Sequence, residues 1–179
     1  MNERCEKIEN VEENVEWVFL WDQEHKTYIL ARCGMWEAKL ATEVYAKGQV
    51  MIFPTEDRIN DVPSFLGQEC KNIPQSVNLI KLIQEVSKRM VNRLKCELVY
   101  LASLNESRRG LHFWLIPREK EHKEFLGIDG FPLIAELRND WVRREIRDKW
   151  DMPPKPEDGR GDLNARWQKY ADEYKAKFQ

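Results

Sequence analysis

One short run, Gln49-Val-Met-Ile-Phe53, most narrows what this chain can fold into. A strand with one wet face alternates apolar and polar residues, whereas Val50 to Phe53 is apolar at every position and suits a strand covered on both faces. Lys47-Gly48 leads into it, and Pro54, which has no N–H to give a ladder, closes it. An interior strand needs neighbours on both sides, so the rest of the sheet has to be found in the flanking sequence.

On the amino-terminal side, Trp17-Val-Phe-Leu-Trp21 and Lys26-Thr-Tyr-Ile-Leu-Ala31 are rich in aromatic and β-branched residues and flank the polar Asp22-Gln-Glu-His25. That pattern predicts a hairpin with a four-residue connection. A further strand is expected around residues 42–45. Upstream, residues 1–16 carry six Glu against Arg4 and Lys7, which reads as a short helix or a frayed arm.

On the carboxyl side, a loop with Asp57, Asp61 and Pro63 leads to a helix starting near Ser76, with Pro74 just upstream. Leu79, Ile83, Val86, Met90 and Leu94 recur at spacings of three and four, one buried helical face. Leu98 to Leu104 and Leu111 to Ile116 read as antiparallel strands joined by Asn105-Glu-Ser-Arg-Arg-Gly110, with Pro117 ending the second. Beyond Arg118 the pattern turns helical through Ile134, Leu137, Trp141, Val142, Ile146 and Trp150. Three prolines and two glycines within 151–161 break it. A last helix, capped by Asp162, carries the stripe Leu163, Trp167, Tyr170, Tyr174 and Phe178.

The 179 residues are enough for one compact domain with a core, and 42% hydrophobic with 34% charged residues excludes a disordered chain. A net charge of −2 argues against a nucleic-acid partner or an anionic membrane surface. Arg138, Arg143, Arg144 and Arg147 alternate with Glu136, Asp140, Glu145 and Asp148, the pattern of a salt-bridged, solvated helix face. No apolar run approaches the roughly 18 to 20 residues that span a bilayer, and the first residues lack the order of a secretory signal, so we read the chain as cytoplasmic. Cys5, Cys33, Cys70 and Cys96 are dispersed and read as reduced thiols; His25 and His122 lie among charged residues and read as solvated. No metal site is expected.

Side chains alternate along a strand, so Leu111, Phe113 and Leu115 share the core side while His112, Trp114 and Ile116 share the other. Gly110-Leu-His112-Phe-Trp114-Leu-Ile-Pro-Arg118 resembles a degenerate histidine-triad signature, His-φ-His-φ-His-φ-φ followed by Pro-Arg. Here His112 takes the central position, Gly110 the first and Trp114 the third. Upstream, Gly48-Gln-Val-Met-Ile-Phe-Pro54 is similar to that family's Gly-His-φ-φ-φ-φ-Pro strand, with Gln49 where histidine is common. The order of strand, proline, loop, long helix, strand and triad strand matches over roughly residues 42–120.

The resemblance implies an α+β fold: an antiparallel half-barrel sheet with a long packed helix in residues 1–130, and a helical extension in 131–179 lying on the same domain or on a dimer partner. It implies a homodimer and a nucleotide or dinucleoside polyphosphate ligand, with no cofactor. In such a site a neutral imidazole attacks the α-phosphate, forms a nucleotidyl-histidine and expels the rest of the substrate. His112 would be that nucleophile. Ser107, Arg108 and Arg109, with Asn105 and Gln49, would contact the phosphate, since guanidinium groups pair bidentately with its oxygens. Trp114 would stack on the base or cover the site.

Gly110 and Trp114 offer no proton to a leaving group, and general acid assistance is worth about 10²- to 10⁴-fold. Three readings therefore stand: a nucleotide hydrolase or nucleotidyltransferase working through His112; a noncatalytic module that keeps the pocket for nucleotide or protein binding; and, against the near-neutral charge, an RNA-end binder using the aromatic residues.

Overall fold

The Asp22 carboxylate accepts the backbone N–H groups of Glu24 and His25, both at 3.1 Å, and so turns the chain back on itself. That turn joins β1 (Glu16–Asp22) to β2 (Thr27–Cys33) in the antiparallel hairpin expected there. The computed structural model describes residues 12, 14–42, 46–55, 73–103, 111–118 and 161–179. The further strand is β3 (Trp36–Leu40), upstream of the expected place. Thr42 lies in a bend outside the sheet, and residues 43–45 are outside the described residues. The reason is local: Glu37 and Lys39 interrupt an apolar pattern, yet both are paired across the sheet, so their charge does not exclude them from a strand.

β4 (Val50–Pro54), β5 (Leu98–Ala102) and β6 (Phe113–Arg118) complete one antiparallel sheet in the order β1-β2-β3-β4-β6-β5. The apolar run of β4 lies inside it, as its composition requires. Pro117 does not end β6, which runs one residue further, and Pro54 is the last residue of β4, opposite Trp36. Among the described residues two helices accompany the sheet, α1 (Ile73–Leu94) and α2 (Gly161–Phe178). The α+β class, the antiparallel sheet, the long packed helix and the carboxyl-terminal helix all match expectation. The sheet is open. α1 starts earlier than expected, because Pro74 sits comfortably in a first turn, where its missing N–H has no intrahelical partner to lose. The helical patterns expected at 119–160 are outside the described residues.

Directly opposed residues of neighbouring strands share a face. Ala38, Ile52 and Phe113 align across β3, β4 and β6, as do Leu40, Val50 and Leu115. With Trp36 they pack in one cluster with Leu79, Leu82, Val86 and Met90 of α1 and Trp167, Tyr170, Tyr174 and Phe178 of α2. Fully burying a Leu, Val or Met is worth about 1.5 to 3 kcal/mol, against at most about 0.7 per residue for ordinary helix propensity. Packing, not propensity, therefore holds α1. The thiols of Cys33 and Cys96 are also buried, and burial pushes the Cys33 thiol up.

Gly48 seats α2. Its φ is +75°, and a Cβ there would lie 2.6 Å from Leu94 Cδ1 and 2.8 Å from Tyr174 Cδ1. The Gly48 N–H donates to the Tyr170 hydroxyl at 2.8 Å. The Tyr28 hydroxyl with the Asp172 carboxylate, at 2.6 Å, and the Trp167 indole N–H donating to the Lys26 carbonyl tie the same helix to the first hairpin.

Candidate functional site

The other face of the sheet carries the candidate site. Lys39, Met51 and Trp114 align across β3, β4 and β6, and Glu37 opposes Phe53. His112, just before β6, stacks on Phe53 with ring centroids 5.7 Å apart and planes 19° from parallel. The Trp114 ring stands 6.2 Å beyond, tilted by 37°. Phe53, His112 and Trp114 thus form a row of rings over two neighbouring strands. The alternation read from the sequence holds for Phe113, which lies on the helix side, edge-on to Trp36 at 6.1 Å, but Ile116, expected beside His112 and Trp114, is buried in the core cluster.

The ring of His112 is enclosed. The residue keeps 3% of its surface exposed, and the Ser103 hydroxyl donates to its backbone carbonyl at 3.0 Å, fixing the chain where β6 begins. Phe53 and Trp114 are half-buried. A nucleophile must bring its attacking atom to about 3 to 3.5 Å from phosphorus along an open line of approach. A ring so nearly covered presents little surface for that.

Gln49 has 0% of its surface exposed. Its backbone closes the turn into β4: the N–H donates to the Ala46 carbonyl at 3.1 Å, and its carbonyl accepts the Ala41 N–H at 2.9 Å. Asn105, Ser107, Arg108, Arg109 and Gly110 are outside the described residues, as are His122, Cys5 and Cys70. Arg118 lies 3.2 Å from the Glu97 carboxylate at the end of β6. His25 is exposed in the hairpin turn, with Nδ1 2.9 Å from Asp22 Oδ2.

Beside the rings runs a ladder of charges that the sequence pattern did not reveal. Lys39 Nζ lies 2.9 Å from Asp22 Oδ2 and 3.2 Å from Glu37 Oε2, and Arg32 donates to Glu37 Oε1 through Nε at 2.8 Å and Nη2 at 2.7 Å. Burial by itself would raise the Asp22 carboxyl. The Lys39 hydrogen bond, the backbone N–H and ring of His25 and the Lys39 charge together outweigh it and hold the group down at about 2, from an ordinary 3.8. The alternation of Glu37 and Lys39 with Trp36, Ala38 and Leu40 was the available signal. Among the described residues no group of three or more His, Cys, Asp or Glu side chains could hold a metal ion. No described helix is long and apolar enough to cross a membrane.

No family model matches the chain, and no curated protein matches it. Among solved structures it is similar to a Hit-like protein involved in cell-cycle regulation from Bartonella henselae, determined with an unknown ligand. The two share 17% identity over 63% of this chain and 78% of that one, with a TM-score of 0.37. A likeness at that level leaves the chemistry to be argued from the site's own residues.

Proposed function

We propose that this chain is a histidine-triad-like protein that binds a nucleotide without turning it over, His112 serving as a packed ring of the sheet. One observation carries the reading: the imidazole at the centre of the motif is 3% exposed and stacked on Phe53, with an indole at the next motif position. An indole carries one N–H and no titratable proton, so Trp114 cannot take over acid–base work from a missing histidine. What it offers is a flat, half-buried face on which a base can stack. The register supports the resemblance, because the two strands that carry it, β4 and β6, are neighbours with Met51 opposite Trp114.

In this reading the base rests against Trp114, and Asn105, Ser107, Arg108 and Arg109 of the connection before β6 hold the phosphate through charge-assisted bonds. Gln49 belongs to the frame of the site. The protein acts as a homodimer in the cytoplasm and needs no cofactor.

The test is a trapping experiment joined to calorimetry. The protein is incubated with AMP, adenosine phosphoramidate or a diadenosine polyphosphate, quenched, and its His112 peptide weighed by mass spectrometry. Saturable binding with no adduct and no product is expected, and His112→Asn should bind as the wild type does. A nucleotidyl adduct on His112, or turnover that His112→Asn abolishes, would overturn the proposal in favour of the hydrolase or transferase. Absence of any nucleotide binding would also defeat it.

A further inference from the structure

Where the carboxyl half of α1 meets the outer strand β1, cations and rings gather that the nucleotide reading does not use. Trp17 and Phe19, both half-buried, stack with ring centroids 5.9 Å apart and planes 22° from parallel. The strand shifts register between Trp17 and Leu20, and Phe19 sits in the left-handed region at φ 50°. A bulky side chain holds that conformation only where its surroundings impose it, and such positions gather at ligand sites. Arg89 of α1 lies over the pair, its Cζ 3.8 Å from the Trp17 centroid and 6.0 Å from that of Phe19. Stacking fixes the plane of the guanidinium but leaves its hydrogen-bond donors unused. Nη1 is buried without a hydrogen-bond partner, and Arg89 makes no ion pair among the described residues.

The neighbouring charges do not compensate it. Glu85, one turn back, lies 3.7 Å from Lys88 Nζ. Arg93, one turn on, is exposed, and its Nη2 reaches only the Gln179 carbonyl, at 3.4 Å. Burial and the Arg93 charge together push the Arg89 guanidinium below its ordinary pKa, against the pull of Glu85. Like charges four residues apart on a helix repel, and the helix dipole favours a cation in the last turn, where Arg93 sits, more than one turn earlier.

We propose that Arg89 and Arg93 form a binding site for an oxyanion, a phosphate or a carboxylate, with Trp17 and Phe19 as its floor. Either anion has two or more acceptor oxygens and can bridge two guanidinium groups through charge-assisted bonds. Such a ligand turns the repulsion between the two arginines into a shared attraction. The site lies on the helix side of the sheet at β1, whereas His112 and Trp114 belong to the other face, so it does not depend on the nucleotide reading.

NMR of the arginine Nε–Hε groups on the whole protein tests it, the Arg89 signal being the one that Arg89→Gln removes. Inorganic phosphate and citrate are each titrated at constant ionic strength. The Arg89 signal should move saturably, and Arg93→Gln, at an exposed position, should weaken the affinity about tenfold. Lys88→Gln, exposed on the same helix, should leave it unchanged. Tighter phosphate binding assigns a phosphate ligand, and tighter citrate binding a carboxylate one. An Arg89 signal that neither anion moves, a shift that sodium chloride reproduces at equal ionic strength, or an affinity indifferent to Arg93→Gln would each overturn the proposal.

Discussion

The face of the sheet beneath the helices and the face that carries His112 solve the same burial problem with different materials. The first is hydrocarbon: Trp36, Ala38, Leu40, Val50, Ile52 and Leu115 meet the stripes of α1 and α2. The second sets a ladder of four charged groups, Asp22, Lys39, Glu37 and Arg32, beside a row of rings, Phe53, His112 and Trp114. A core wants only matched volume, whereas a surface of paired charges and flat rings has directional preferences. Such preferences suit recognition more than stability, since apolar packing would hold a sheet as well with fewer constraints.

If that contrast is sound, the largest loss of stability comes from the helix side. Trp36→Ala should cost about 3 to 5 kcal/mol in urea unfolding, since it empties a fully buried site and removes the indole N–H bond to the Gln75 carbonyl. On the charged side, Lys39→Met leaves Asp22 and Glu37 without the cation between them and should cost about 2 kcal/mol. Equal losses from the two substitutions would erase the distinction.

A smaller effect is pH-dependent. Asp22 is held at about 2 when folded and titrates near 3.8 when unfolded, so its contribution is complete above that value and is lost as the pH falls through about 2. Solvent screening reduces the contribution to about 1 kcal/mol. Denaturation curves should therefore show Asp22→Asn losing less stability than wild type between the two values. Parallel curves would mean that the ladder stores no stability in this carboxylate. The smallest effect is expected at the motif's centre. His112→Phe, one ring for another against Phe53, should change stability by about 1 kcal/mol or less and leave nucleotide affinity within a fewfold. Loss of binding would give the imidazole a role in contact with ligand.

Which parts were legible in the sequence follows the same division. β4, the stripe of α1 and the stripe from Trp167 to Phe178 were readable because hydrocarbon writes a local, periodic pattern. β3 was misplaced because Glu37 and Lys39 look solvated until Asp22 and Arg32 are brought alongside by the hairpin, and pairing across strands leaves no mark at short range. His112 was assigned to the correct face. Its enclosure was not readable, since alternation gives direction but not what Phe53 and Trp114 do around it. Pro117 reads as a stop in the sequence, yet β6 continues through it to Arg118, because a strand tolerates a residue without a donor near its end.

Gly48 has a consequence in time. Its bond to Tyr170 joins residues 122 positions apart. A loop that long closes slowly compared with a hairpin. While the polypeptide is being made, the first hairpin can form early, but α2 cannot settle until residues 161–178 have emerged. The nascent sheet must wait with its hydrocarbon side only partly covered, by α1, and in that interval the protein is most open to misassociation.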